Sequence, residues 1–300
     1  MTEASRNPIA VAQNTDHSRR LLAAQARLYT DAKRLHDGRV LTVSLLAALT
    51  IALALMLPDA RAAVGAIGGT ITFLWSLLGS DREKRKRQEA VSVQEEFDTH
   101  VFDLPTNNFI VDRPSPTLIA EAAARYKGNR SKDWYPDTRP VVRPLDVLIC
   151  QRSNLGWGSS THRVYAACLT GALVALVAAG LVIAIAAELT VVEGLTAVLV
   201  PLLGPARELI EMIRANRESA DIKTETETKV LALWSRGMAE ADAVTIQDCR
   251  TVQDRLLQIR QTNAYVPDWL DNLRRSRYEA LMQESAKHLV EEAVQHGRTD

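Results

Sequence analysis

Residues 40–57 read VLTVSLLAALTIALALML, with no charge and no proline, and Pro58-Asp59-Ala60-Arg61 separates them from a second apolar run at 62–78. Eighteen helical residues rise about 27 Å, close to the ~30 Å hydrocarbon thickness of a bilayer. Two such runs joined by four polar residues predict a membrane helical hairpin over 40–79. A second hairpin is predicted over 164–205. Residues 164–187 are uncharged, and a further span follows from Leu189, carrying Glu193, Pro201 and Pro205. Proline inside a span is tolerated where neighbouring groups satisfy the freed backbone.

Outward from the spans the chain is polar. Residues 1–15 read as a disordered leader. In 16–38, Leu21, Leu22, Leu28 and Leu35 stand among Arg19, Arg20, Arg27, Lys33 and Arg34. This pattern predicts an amphipathic juxtamembrane helix, of the kind that often lies on a membrane, and it completes an N-terminal segment over 1–39. The middle region, 80–163, opens on the basic run Arg82, Lys84, Arg85, Lys86 and Arg87. A helix over 88–101 is predicted to continue from the membrane and to break at Phe102-Asp103-Leu104-Pro105. Ser115 and Pro116 predict the start of a short helix, 127–144 is a proline- and aromatic-rich loop, and helix resumes at Leu145. The last segment, 206–300, predicts a long polar helix over 206–236 and a second over 242–263. In the second, Cys249, Val252, Leu256 and Ile259 form an a/d seam. A third helix covers 269–293. No stretch alternates in the manner of a strand. The fold class is therefore all-α: a membrane protein with four transmembrane helices in two hairpins plus a mainly helical cytoplasmic region.

Thirty-six basic residues balance thirty-six acidic ones, which argues against a general nucleic-acid binder. Three cysteines without CxxC spacing argue against a zinc site or a disulfide framework. Basic residues flank the outer ends of both hairpins, whereas the two links hold one basic residue and three acidic ones, so both termini and the middle region are expected in the cytoplasm. No nucleotide-loop, metalloprotease, nucleophile-elbow or dinucleotide motif is present. The chain is expected not to be an enzyme, and no catalytic or metal-binding residue is assigned.

Two helix faces carry small residues. Gly65 and Gly69 form GxxxG in the second span, and Ala167, Gly171, Ala175 and Ala179 form a ladder in the third. Such faces let membrane helices approach closely, either within one chain or between subunits. In the middle region Trp134 and Tyr135 offer rings for stacking on a base, and Arg139, Arg143 and Arg152 offer guanidinium groups for phosphate. Ordinary aromatic packing with solvated arginines accounts for the same residues, and the C-terminal helices around Arg250–Arg277 are the next place for such a site.

Several motifs together carry a family likeness. Glu95-Glu96-Phe97-Asp98-Thr99-His100-Val101-Phe102-Asp103-Leu104-Pro105 comes first, then Trp134-Tyr135-Pro136. Cys150-Gln151-Arg152-Ser153-Asn154-Leu155-Gly156-Trp157 follows, with His162-Arg163 after it, and Val266-Pro267-Asp268-Trp269 comes last. In order and in flanking spans, the chain resembles the SMODS-associating four-transmembrane effector family over about residues 15–290. The resemblance implies a bacterial inner-membrane effector of cyclic-oligonucleotide anti-phage signalling. It implies a cyclic di- or trinucleotide as activating ligand, a cyclic-nucleotide synthase as functional partner, a homo-oligomer, and permeabilisation of the bilayer leading to abortive infection. A passive membrane scaffold that recruits partners through its coiled-coil helices is the competing reading. A membrane-bound enzyme is a third.

Overall fold

The structure is a computed structural model that describes residues 7–78, 80–129, 131–156 and 158–299. The first six residues of the leader, Gly79 and the motif residue Trp157 lie outside the described residues. In chain order the helices are α1 (Ile9–Ala12), α2 (Asp16–Met56), α3 (Arg61–Leu78), α4 (Ser80–Phe102), α5 (Pro116–Ala124), α6 (Leu145–Gly156), α7 (Ser159–Ala186), α8 (Val191–Gly194), α9 (Val200–Ala239), α10 (Ile246–Thr262) and α11 (Asp268–Gln295). Among the described residues the only β pairing is an isolated bridge between Val141 and Thr299. Helix ends follow local chemistry. Asp103 takes a left-handed φ of 54° where α4 stops, and Thr245 and Asp248 cap α10 reciprocally.

The chain divides into two compact units. One contains residues 31–85 and 163–217, and the other contains the described residues of 7–30, 86–162 and 218–299. All four division points fall inside helices: α2, α4, α7 and α9 each contribute residues to both units.

The first unit is apolar. Three segments of the chain, Asp16–Met56, Pro58–Phe102 and Leu145–Ala186, contain stretches long and apolar enough to cross a membrane. Large side chains such as Leu45, Ile67, Trp75, Leu181 and Ile185 point outward, while Val43, Ala47, Ala54, Thr72, Ser76 and Ala197 are buried. That inversion suits lipid, where helices gain by close backbone approach instead of by hiding leucines from water. The fourth predicted span takes a composite form. It starts in α8, passes through a π turn at Leu195–Leu199, and continues as α9 with Pro205 inside the helix. The π turn and α8 both pack on α3.

The second unit has an ordinary apolar core. Leu21, Leu22, Phe97, Phe102, Leu148, Ile149, Trp234 and Leu256 belong to it. Of the α2 leucines expected to lie on a membrane, Leu21, Leu22 and Leu28 are here instead and fully buried, as is Ala24, because a protein core accepts the same apolar face; Leu35 belongs to the first unit and is exposed. The end of the leader is likewise ordered. Ile9 plugs the core, and the Gln13 side chain bonds both the backbone carbonyl (3.0 Å) and the backbone N–H (2.6 Å) of Tyr135. The a/d seam of α10 is buried, with Cys249, Val252, Leu256 and Ile259 all facing inward. Both α10 and α11 pack on α6.

Candidate functional site

At the centre of the polar unit α4 carries Glu95 and Asp98, one turn apart on one helix face. Asp98 has no exposed surface. Its Oδ1 accepts from the Tyr135 hydroxyl at 2.6 Å, and its Oδ2 accepts from Gln253 Nε2 at 2.9 Å and from Arg260 Nη1. Glu95 accepts from the same Gln253 nitrogen at 2.8 Å and from Arg250 Nη2 at 2.7 Å. Gln151 donates to the Cys249 carbonyl at 2.8 Å and to Gln253 at 3.2 Å. Asn154 donates to the Tyr135 hydroxyl at 3.0 Å. Three separate sequence motifs thus meet in one buried polar network: α4 supplies Glu95 and Asp98, the loop supplies Tyr135, and α6 supplies Gln151 and Asn154. Burial first, and then Asp98, pushes the Tyr135 phenol well above its ordinary pKa, so it stays a donor at neutral pH. Burial and the Asp98 charge also raise the Glu95 carboxyl, against the pull of Arg250.

The five residues expected to bind a ligand do not form one site. Trp134 is 41% exposed and lines a cleft of about 850 Å³ with Lys132, Asn154, Arg275, Glu279 and Met282. Tyr135 reaches that cleft but is only 3% exposed. Its ring lies parallel to Phe97 and tilted on Phe102, with centroids 6.0 and 4.9 Å away. No base can stack on a ring so enclosed. Arg139 is exposed and engaged by Asp137. Arg143 pairs with Asp146 at 3.1 Å and donates to the Phe102 carbonyl at 3.3 Å. Arg152 pairs with Glu227 at 3.1 Å and also donates to Ser285. Each arginine meets a carboxylate of its own, and none lines the Trp134 cleft.

A second pocket was not anticipated. It measures about 210 Å³ and is lined by Arg87, Lys223 and Arg260 together with Tyr29, Asn263 and Tyr265. The Tyr265 ring lies under the Arg87 guanidinium at 4.2 Å, and Arg87 Nε donates to the Tyr265 hydroxyl at 3.0 Å. Lys223 sits on the long polar helix expected over 206–236, and packing against neighbouring elements buries it. Arg260 lies in the C-terminal helices named above as the alternative region. What sequence could not supply was their convergence with Arg87.

The small-residue faces have different surroundings. A Cβ at Gly65 would overlap the Thr196 carbonyl, and one at Gly69 would come within 2.7–2.8 Å of Val200 and Pro201. The GxxxG pair is therefore packed inside the apolar unit. Ala167, Gly171, Ala175 and Ala179 are all exposed, and nothing lies within 4 Å of a Cβ placed at Gly171.

Comparison with known proteins places these observations in a family. The SMODS-associating 4TM effector domain matches residues 7–289. A protein of Bacillus cereus (strain VD146), described as a probable CBASS effector molecule, is 23% identical over 282 residues, covering 88% of this chain and 92% of that protein. No solved structure matches the chain.

Proposed function

Because the chain belongs to the SMODS-associating 4TM effector family, we propose that it is an inner-membrane effector of anti-phage defence. On this reading its polar unit takes up a cyclic oligonucleotide and its apolar unit then breaches the bilayer. The observation that carries the reading is the division of labour along the chain. One unit turns large apolar side chains outward, and the other holds two clefts lined with cations and aromatic rings. Both termini and the polar unit face the cytoplasm, where a nucleotide synthase would deliver the signal, as the basic flanks of the hairpins favour. The effector binds its nucleotide without consuming it.

Moving a closed population to a mostly open one takes about 5.5 kcal/mol of differential affinity. Several copies acting together would supply that from modest sites, and the exposed ladder on α7 offers a face for their contact. A passive scaffold is less well supported, because the α10 seam that would recruit partners is buried inside its own unit.

The test is dye release from liposomes containing the full-length protein, challenged with a panel of cyclic di- and trinucleotides. Release on one of them, with that nucleotide recovered intact, is expected. No release with any member, in a protein correctly inserted and folded, would overturn the reading.

A further inference from the structure

Several elements converge on the smaller pocket. Among them, helix α4 brings Arg87, α6 brings Asn154, α9 brings Lys223, α10 brings Arg260 with Asn263 as its C-cap, and the following loop brings Tyr265. No Asp or Glu lines it among the described residues. Lys223 is 9% exposed, and among the described residues the hydrogen-bond partner of its Nζ is His162 Nε2 at 3.2 Å. An imidazole does not neutralise an ammonium. Arg260 gives one terminal nitrogen to Asp98, and its other, Nη2, is buried without a hydrogen-bond partner, as is Asn263 Oδ1. The amide O and N of Asn263 are interchangeable by rotation, so this side chain can present either a donor or an acceptor.

Buried charge is normally paired, and a buried donor normally has an acceptor. Here an ammonium and a guanidinium nitrogen share one pocket without a carboxylate to share. Water would fill the space but would not balance the charge. The chain also makes room for the ammonium: a Cβ at residue 158 would overlap Lys223 Nζ, and residue 158 is glycine. At about 210 Å³ the space is smaller than the roughly 300–1,000 Å³ of pockets that hold a whole small ligand. It suits a tetrahedral oxyanion better than a nucleoside.

We propose that Lys223 and Arg260, with Arg87 and Asn263 beside them, form a seat for the phosphoryl group of a phosphate ester. Asn154 lines both this pocket and the larger cleft that holds Trp134. An ester seated on Lys223 therefore has the cleft available for the remainder of the molecule, with Trp134 as its stacking surface. The identity of that ester as a cyclic oligonucleotide rests on the function proposed above; the seat itself rests on the buried Lys223 ammonium, whose partner is a neutral imidazole, and on the unpartnered Arg260 Nη2.

The test uses the full-length protein in detergent and compares wild type, Lys223→Gln and Gly158→Ala by calorimetry. The probes are inorganic phosphate, cyclic diadenylate, cyclic triadenylate, and nanodiscs with and without phosphatidic acid. Phosphate is expected to bind wild type and to bind Lys223→Gln roughly tenfold or more weakly, since a charge-assisted contact is lost. The melting temperature of the unliganded variant should not fall, because an uncompensated buried charge has gone. Gly158→Ala, which displaces the ammonium and keeps its charge, should also weaken binding and serves as the readout if Lys223→Gln does not fold. Phosphate that fails to bind wild type, or binds both variants as tightly as it binds wild type, overturns the seat. Cyclic-nucleotide binding that survives both variants overturns the seat and leaves the nucleotide trigger standing. Phosphate or phosphatidic-acid binding lost in Lys223→Gln, in a protein indifferent to both cyclic nucleotides, supports the seat and overturns the trigger for them.

Discussion

Arg39 on α2 is paired with Glu208 on α9 at 2.5 Å, with only 12% and 3% of the two side chains exposed. Glu83 on α4 approaches the same guanidinium at 3.4 Å, so three helices of the apolar unit meet on one arginine. Such a pair is weak evidence for stability against an apolar substitute, but breaking it from one side strands a charge. Glu208→Gln should cost about 3 kcal/mol, moderated by Glu83, and Arg39→Met with Glu208→Leu should recover most of the loss. A double-mutant cycle on thermal unfolding in detergent measures both. A loss in the double variant equal to the sum of the two single-variant losses would show that the pair is not a coupled unit.

The two glycine faces should respond oppositely to leucine. At Gly65 the new side chain meets the Thr196 carbonyl and the Ala197 backbone. Overpacking of this kind costs about 1–3 kcal/mol or more, and backbone cannot step aside as a side chain can. At Gly171 there is open space, so Gly171→Leu should insert and melt like wild type. If Gly171→Leu is also inactive in dye release while remaining folded, the α7 ladder is where copies meet. Size-exclusion profiles of the two variants decide whether folding or assembly has changed.

Tyr135 and Trp134 are neighbours in sequence with separate jobs. Tyr135→Phe removes the hydroxyl between Asp98 and Asn154 and leaves Asn154 Nδ2 without that acceptor. It should destabilise by about 1–3 kcal/mol. Trp134→Ala acts on a half-exposed ring in a cleft and should change stability by less than about 0.5 kcal/mol. If a base stacks there, it should weaken nucleotide binding about tenfold. Melting curves and calorimetry on both variants separate the two roles.

Burial, and after it the Arg260 charge, pushes the Lys223 ammonium down to about 8. An unfolded lysine titrates near 10.4. Between these values the unfolded chain holds a proton that the folded chain has released, so stability rises with pH across that window. Below about pH 8 both states are protonated, and folding carries the full penalty of the buried charge. The groups facing the ammonium are His162 and Arg260. Melting temperature measured from pH 7 to 10 should climb more steeply in wild type than in Lys223→Met, the difference approaching about 3 kcal/mol at most. A parallel pair of curves would place the titration elsewhere. Anion binding to the same group should weaken as pH passes about 8.

Much of the architecture was legible without coordinates. Residues 40–57 and 164–187 had to be helices in lipid, because an uncharged run of that length can satisfy its backbone in a bilayer only as helix. The α10 seam was legible because its spacing of three and four leaves one continuous apolar stripe. Composition could not say where a stripe goes. Leu21, Leu22 and Leu28 suit a membrane surface as well as a core, and only folding buried them among Phe97 and Ile149.

The polar chemistry divided in the same way. Sequence alone determined that the chain is helical, that its charges are segregated from its spans, and that arginines and aromatic rings cluster in the loop of residues 127–144. Tertiary structure alone decided which of those groups are available. Arg139, Arg143 and Arg152 are each engaged by a carboxylate that comes from elsewhere along the chain or from a nearby turn, and Tyr135 is turned inward onto Asp98. Lys223 has no signature in a run of alternating charges, yet among the described residues its hydrogen-bond partner is the His162 imidazole and not a carboxylate. The physical reason is that charge neutralisation is a property of neighbours in space. Arg87, Lys223 and Arg260 stand far apart in the chain, and only the packing of α4, α9 and α10 sets them around one pocket.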